Sequence, residues 1–499
     1  MIRDIERLAT TKYDLLVIGG GINGAAIAHI AAKRGLKVAL VEKGDFASGT
    51  SSKSTKLIHG GIRYLENLEF DLVYESLHER YLQLQIAPHL VKPLSFIIPV
   101  YKNDKRPLWM MHLGVFLYDL LAGKYSIGRH KKLSANDLFA LEPNLKKEGL
   151  KGGVMYFDAQ MDDARLCLEN VLSAAEYGAD VANYTEIMSF IKDNGKIIGA
   201  KAKVARGTFD ILAKKTICAV GPWTNFLLRM ENPHAKKIVR TTKGVHIVYR
   251  GQITKNALLI QSKQDNRIFF VIPWMGHSLI GTTDTDYIGQ PDRIEANQKD
   301  IDYLVRESKR VFQNFPFSAD NIISVFAGLR PLVRSGGVKP SKASRKHTII
   351  QTDSGLMVVI GGKYTTYRKI AEDCVNQITA PRKEKDFHLY GSGTISTSSE
   401  AVARKYHVDL DIASALMEKY GTRYVDVLKL TEHHPELKER VFEEFPVIKA
   451  QIIYSIKIEM AQTAADIILR RLSVGYVDED YLRWENKINA IAKRLAGLF

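Results

Sequence analysis

Residues 13–63 constrain the fold more than any other stretch of this chain. They open with Leu15-Leu16-Val17-Ile18, followed at once by Gly19-Gly20-Gly21-Ile22-Asn23-Gly24. An Ala- and Ile-rich segment to Lys33, Gly35, the run Val38-Ala39-Leu40-Val41 and Glu42 come next. The first apolar run predicts a parallel strand buried on both faces. Gly19 suits the tight turn, Gly21 lets backbone approach a pyrophosphate, and Gly24 lets the next helix pack closely. That helix would turn its first amides, around Ile22 and Asn23, toward phosphate. Glu42 stands 21 residues after Gly21, where a carboxylate can accept from a ribose hydroxyl. Strand, glycines, helix, strand and acid in this order make a dinucleotide-binding unit. The glycines and Glu42 leave open which dinucleotide binds.

A chain of 499 residues is too long for one core and predicts two or three domains. No apolar run approaches the roughly 20 residues of a spanning helix. The charged N-terminus, Met1 to Lys12, lacks the apolar centre of a signal peptide, so a cytoplasmic protein is expected. Cys167, Cys218 and Cys374 are far apart and show no metal or redox spacing, which suits buried small hydrophobes. No metal is expected. The balance of 71 Lys and Arg against 55 Asp and Glu, a net +16, favours acidic partners. Nucleic acid is the least favoured of these, because the basic residues are dispersed and no recognition motif is visible.

Along the chain, 68–86, 109–121, 158–178 and 297–312 have helical patterns. The stretches 181–220, 239–271 and 322–360 are β-rich. Asn194-Gly195 between apolar runs predicts a hairpin turn. Residues 335–341 read as a mobile loop, and 380–399 contain a linker. Beyond about 400 the pattern is helical, with 447–472 and 481–499 as long segments. The segments 216–223 and 357–363 are apolar strands ending in glycine. They read as late-returning strands of the nucleotide domain.

Thr50-Ser51-Ser52 with Lys56-Leu57-Ile58-His59-Gly60-Gly61-Ile62-Arg63-Tyr64-Leu65-Glu66 resembles a signature of the FAD-dependent glycerol-3-phosphate dehydrogenases, within the glycine/D-amino-acid oxidase class of flavoproteins. Further stretches are similar to the same family: 87–91, Lys243-Gly244-Val245-His246, Gly281-Thr282-Thr283-Asp284, Ala327-Gly328-Leu329-Arg330-Pro331-Leu332, and Gly361-Gly362-Lys363-Tyr364-Thr365-Thr366-Tyr367-Arg368. The helical segment 459–471 is similar to the family's C-terminal domain. Lys53, Thr50, Tyr364 and the basic loop 335–344 depart from the family's usual pattern.

The resemblance implies an α/β fold with a discontinuous Rossmann-like FAD-binding domain (1–75, 150–225 and 322–380). An inserted α+β substrate domain (76–149 and 226–321) and a helical C-terminal domain (390–499) complete it. The expected FAD contacts are Gly19, Gly21, Ile22, Asn23, Gly24, Glu42, Lys43, Thr50, Ser51, Ser52, Lys56, Leu57, His59, Gly60, Gly221, Trp223, Gly362, Lys363 and Thr365.

Oxidising a secondary alcohol by hydride transfer needs the alcohol carbon against the flavin, a base for the hydroxyl proton, and a grip on the rest of the substrate. A phosphate dianion is best held by guanidinium forks. Arg330 and Arg345 are expected at the phosphate, Lys363 nearby, and Arg63 and Tyr64 on the substrate side. His246 and His59 are the candidate bases, since imidazole titrates in the useful range. His246 is favoured and His59 is expected nearer the flavin.

The resemblance further implies a membrane quinone as acceptor, with the enzyme peripheral on the inner face of the cell membrane. It is compatible with a homodimer. The apolar segment 108–122, flanked by Lys102, Lys105, Arg106 and Lys124, suits an anionic lipid surface or a buried core helix. The rival acceptor is oxygen, with peroxide as product. An amine or amino-acid oxidase and a non-catalytic flavoprotein are the remaining alternatives.

Overall fold

The computed structural model describes residues 1–313, 317–334 and 347–495. Arg345 and the loop 335–341 lie outside the described residues. Two large sheets and a helical region organise the chain. In the first sheet Lys12–Ile18 is central, parallel to Gly207–Cys218 on one side and Val38–Val41 on the other. Asp180–Ala182 and Leu356–Gly361 extend it in parallel, and His347–Gln351 closes one edge antiparallel. Leu15, Leu16 and Val17 are fully buried, as a strand covered on both faces requires. Helices Ile22–Lys33, Asp163–Glu176 and Tyr367–Val375 share one core against it. The strands Glu186–Asp193 and Lys196–Val204 form the expected hairpin. Its turn residues Asn194 and Gly195 have φ of 46° and 77°, the positive pair a type I′ turn needs.

The second sheet has ten strands. Val239–Tyr249 pairs with Ile322–Val333 along its length, and on its other side with Thr285–Tyr287 and His277–Gly281. Ile268–Trp274, Ala257–Gln261, Val91–Tyr101, Leu150–Met161 and Leu57–Ile58 continue the order. The expected domain boundaries therefore shift in three places. Residues 57–58, 150–161 and 322–333, read as nucleotide-domain segments, belong to this sheet. Apolar strand character alone does not choose a pairing partner, and these strands found theirs across the chain.

Two helix boundaries differ from expectation. The helix expected over 158–178 starts at Asp163, because 158–161 still pair with Val91–Leu94 and Asp162 caps the helix, accepting from the Arg165 N–H at 3.1 Å. The segment 447–472 is not one helix. Lys449–Lys457 ends, Met460 takes a positive φ of 57°, and Thr463 caps a new turn that continues through Ile467–Arg471. The C-terminal helices, closing with Tyr481–Leu495, enclose their own core around Ile453, Ile468 and Trp484.

Helix Leu108–Ala122 buries only Val115, Tyr118 and Ala122. Trp109 and Leu120 are about two-thirds exposed, and Met110, Leu113 and Phe116 are also exposed. The alternative of an ordinary core helix is therefore set aside. Among the described residues no helix is long and apolar enough to cross a membrane.

Candidate active site

Where the two sheets meet, a cavity of about 780 Å³ opens, lined by both. Its first wall is the glycine turn. Gly19 has φ +109°, and a Cβ there would come within 2.7 Å of the Ala219 carbonyl oxygen. A Cβ on Gly24 would reach the Gly19 carbonyl at 1.9 Å, so this glycine sits behind the wall and sets helix packing. A Cβ on Gly21 would meet only Ser51 Oγ, at 3.2 Å, beside the cavity it lines. Ser51 Oγ accepts from the Ile22 N–H at 2.9 Å, tying the loop 50–52 to the helix N-terminus. Glu42 accepts from Gly20 N–H at 2.7 Å and from Gly44 N–H at 2.8 Å. Burial raises its carboxyl pKa despite these bonds. Thr50 Oγ1 donates to the Leu329 carbonyl at 2.6 Å, which stitches the loop after Val38–Val41 to the second sheet.

These features fit a dinucleotide. The cavity beside Gly21, the N-terminus of a 12-residue helix and the lining carboxylate of Glu42 match pyrophosphate and ribose. Lys43, Trp223, Gly221, Leu57, Gly362 and Thr365 also line the cavity. Lys43 Nζ lies 4.5 Å from the Trp223 ring centre, and both side chains bond Asp292.

Four expected cofactor contacts stand back from the cavity. Gly24 is one. Lys56 points the other way: its buried Nζ donates to Asp163 Oδ1 at 2.6 Å and to the Ser52 carbonyl at 2.9 Å. A buried lysine of this kind is a structural charge that braces the loop. Ser52 is buried beneath it. Gly60 is held by Asp158, which accepts from its N–H at 3.2 Å and also pairs with Arg80 and Tyr118.

The second wall carries the polar residues. His59, Arg63, Tyr64, His246, Arg330 and Lys363 all line the same cavity. His246 is 2% exposed and stacks on Phe326, ring centres 5.0 Å apart. Its Nε2 lies 3.0 Å from Thr55 Oγ1, and its Nδ1 has no hydrogen-bond partner among the described residues. Burial, then Arg330 and Lys56, hold the imidazole pKa well below its usual value, so the ring is neutral at pH 7. The Arg330 guanidinium is oriented by Asp284 at 3.1 Å and by Thr282 Oγ1 at 2.8 Å. A Cβ on Gly244 would sit 2.4 Å from Arg330 Nη2 and displace the guanidinium from this position. Lys363 Nζ donates to Ser76 Oγ at 2.5 Å and lies 4.4 Å from the Tyr64 ring centre. His59 and Thr365 exchange hydrogen bonds of 3.1 Å, backbone to hydroxyl.

Sequence reasoning passed over Thr55, and over Asp158 and Asp163 as the carboxylates behind the loop. Thr55 sits between quoted signature residues and carried no charge or ring to attract notice. Thr282 and Asp284 lay inside a quoted motif without an assigned role. Among the described residues no group of His, Cys, Asp or Glu could hold a metal, and the three cysteines are free and buried.

Comparison with known proteins places the chain in a family. Residues 14–368 match the family described as FAD dependent oxidoreductase, and 383–497 match the C-terminal domain of alpha-glycerophosphate oxidase. A glycerol-3-phosphate dehydrogenase of Synechocystis is 38% identical, over 96% of this chain and 92% of that one. An aerobic glycerol-3-phosphate dehydrogenase of Staphylococcus aureus is 36% identical, over 97% and 91% respectively. The solved glycerol-3-phosphate dehydrogenase of Bacillus halodurans, complexed with FAD, superposes with a TM-score of 0.82 at 30% identity, covering 99% of this chain and 92% of that one. With a dinucleotide cradle and a cluster of basic side chains on one cavity, and with relatives matched over nearly the whole length, the chain belongs to the FAD-dependent glycerol-3-phosphate dehydrogenases.

Proposed function

We propose that this protein oxidises sn-glycerol 3-phosphate at C2 to dihydroxyacetone phosphate and delivers the electrons to a membrane quinone. The observation that carries the chemical half is the neutral His246, paired with Thr55, in the cavity that also holds Arg330. FAD, held by Gly19, Gly21, Ile22, Asn23, Glu42, Thr50 and Ser51, supplies the hydride acceptor when bound. Arg330, fixed in plane by Asp284 and Thr282, grips the substrate phosphate, with Lys363 and Arg63 adding positive charge. Tyr64 lies on the substrate side and His59 beside the ring. His246 takes the hydroxyl proton. In the tautomer that carries the ring hydrogen on Nδ1, Nε2 is the nitrogen left to accept the proton, 3.0 Å from Thr55 Oγ1.

The acceptor half rests on a second cavity of about 470 Å³ that shares Ile62, Arg63, Leu259 and Ile268 with the first. Met110, Met111, Leu113 and Leu117 form part of its apolar wall, and Lys102, Arg106, Lys146 and Lys263 also line it with Glu66, Asp104 and Glu148, Arg106 pairing with Glu66 at 2.6 Å and Lys263 with Asp104 at 3.9 Å. It opens beside the exposed apolar face of Leu108–Ala122. Basic residues around an apolar patch suit an anionic lipid surface, from which a quinone could enter.

Anaerobic bleaching of the flavin tests the reading. Glycerol 3-phosphate should bleach it and glycerol should not; equal bleaching by glycerol would remove the phosphate grip. A soluble quinone analogue should then restore the colour, faster in the presence of anionic vesicles. Stoichiometric peroxide in air with no response to the quinone would make the protein an oxidase. Arg330→Ala should raise KM by about thirty- to a hundredfold, the equivalent of about 2–3 kcal/mol for lost hydrogen bonds to a charged group. An unchanged KM would place the phosphate elsewhere.

A further inference from the structure

Among the described residues the C-terminal helical region contributes no lining residue to either cavity, yet one of its side chains stands directly behind the reacting wall. Tyr476 lies in the short turn Val474–Tyr476 and is 3% exposed. Its backbone carbonyl accepts from Ser324 Oγ at 2.6 Å, which pins the turn to the second sheet. Its ring meets Phe326 edge to face, centres 5.1 Å apart at 62°. Phe326 in turn lies nearly parallel to His246, at 5.0 Å and 18°. The Tyr476 hydroxyl accepts from Lys53 Nζ at 3.0 Å, and Lys53 lines the main cavity. Two cavity-lining groups, His246 and Lys53, thus take their placement from one buried tyrosine of the C-terminal region, far beyond Arg330 in the chain.

We propose that Tyr476 is a positioning residue for the oxidation: its ring backs the Phe326–His246 stack. This rests on the reading of His246 as proton acceptor. The C-terminal region then contributes to turnover as well as to folding. A ring held on one face by Phe326 and at Nε2 by Thr55 has little freedom left. Removing the backing residue frees Phe326 to shift, and proton transfer is steep in distance.

The test compares holoenzymes of Tyr476→Leu, Tyr476→Phe and His246→Gln, and the Tyr476→Leu/His246→Gln double variant, with flavin content checked first. Tyr476→Leu should lower kcat by about ten- to a hundredfold, the scale of a small misplacement, with KM for glycerol 3-phosphate within about threefold. Tyr476→Phe keeps the ring and should restore kcat to within about threefold of the parent. In the His246→Gln background the further loss from Tyr476→Leu should vanish, because coupled residues are non-additive. An unchanged kcat in Tyr476→Leu would overturn the proposal, as would a full additional loss in the double variant. If the Leu variant does not fold, Tyr476→Met, which also removes the ring, takes its place and carries the same expectations. A near-normal kcat in His246→Gln would instead sink the assignment of the base, a result visible without any Tyr476 variant.

Discussion

Replacing His246 by Gln should lower kcat by about 10²–10⁴-fold, the usual contribution of a positioned acid or base, with FAD still bound. Glutamine retains a polar atom for Thr55 and keeps most of the volume against Phe326. The loss would then report proton transfer and leave packing nearly intact. The pH profile gives the second signature. A neutral, buried imidazole with a lowered pKa is ready to accept a proton at pH 7, but it is a weak base. Part of its depression comes from the charges of Arg330 and Lys56. A bound phosphate dianion beside Arg330 offsets that charge and raises the proton affinity of the ring. The acid limb of kcat, which reports the enzyme–substrate complex, should therefore lie at higher pH than the limb His246 sets in the free enzyme. The kcat limb should disappear in His246→Gln, while kcat/KM keeps the limb of the substrate phosphate, whose second ionisation lies near about pH 6. A kcat limb that survives the substitution would assign the proton to another group.

The dinucleotide half of the site was legible because its chemistry is local. A turn, a helix N-terminus and a carboxylate all fall within one short consecutive stretch, and each glycine has a steric reason that the structure bears out at Gly19 and Gly24. His246 and Arg330 were legible only through their motifs, since neither has a neighbour in sequence that reveals its partners. They face one cavity because Val239–Tyr249 and Ile322–Val333 pair in register, His246 opposite Phe326 and Thr242 opposite Arg330. That pairing joins segments far apart in the chain and leaves no periodic trace. The same limitation moved residues 57–58, 150–161 and 322–333 from one sheet to the other. Lys56 misled for a different reason. A lysine inside a cofactor signature suggests a ligand contact, but its buried Nζ is bonded to Asp163, 107 residues away. Partners of buried charges are long-range facts, and they decide which way a side chain points.

Replacing Asp45 by Ala should destabilise the holoenzyme by about 3–5 kcal/mol, the scale for stranding a buried charge. Asp45 is 1% exposed and accepts from Arg470 Nε at 2.6 Å, Arg471 Nη1 at 2.5 Å, Arg471 Nη2 at 2.9 Å and Asn183 Nδ2 at 3.1 Å. Arg471 is fully buried, so the substitution leaves a guanidinium inside the protein without this carboxylate. The break that sequence periodicity missed at 458–463 is what allows this arrangement. It turns the chain so that Arg470 and Arg471 reach back to Asp45, close to the N-terminus, and it leaves the Glu459 carbonyl to accept from Arg471 Nη2 at 2.8 Å. Asp45 also sits beside Gly44, whose N–H fixes Glu42, so loosening it should release the cofactor early. Burial alone would raise the Asp45 carboxyl pKa, but Arg471 and Arg470 outweigh it and the net direction is down. A depressed pKa contributes stability above the unfolded value near 3.9, lost as pH falls through the folded pKa. The gap between parent and Asp45→Asn should therefore be constant above about pH 5 and narrow only below about pH 4. Thermal unfolding followed by flavin release and by circular dichroism across about pH 3.5–8 would measure both. A variant with parental stability at pH 7 would show that the C-terminal region is held by its apolar contacts alone. A gap that opened on acidification would reverse the sign argued for Asp45.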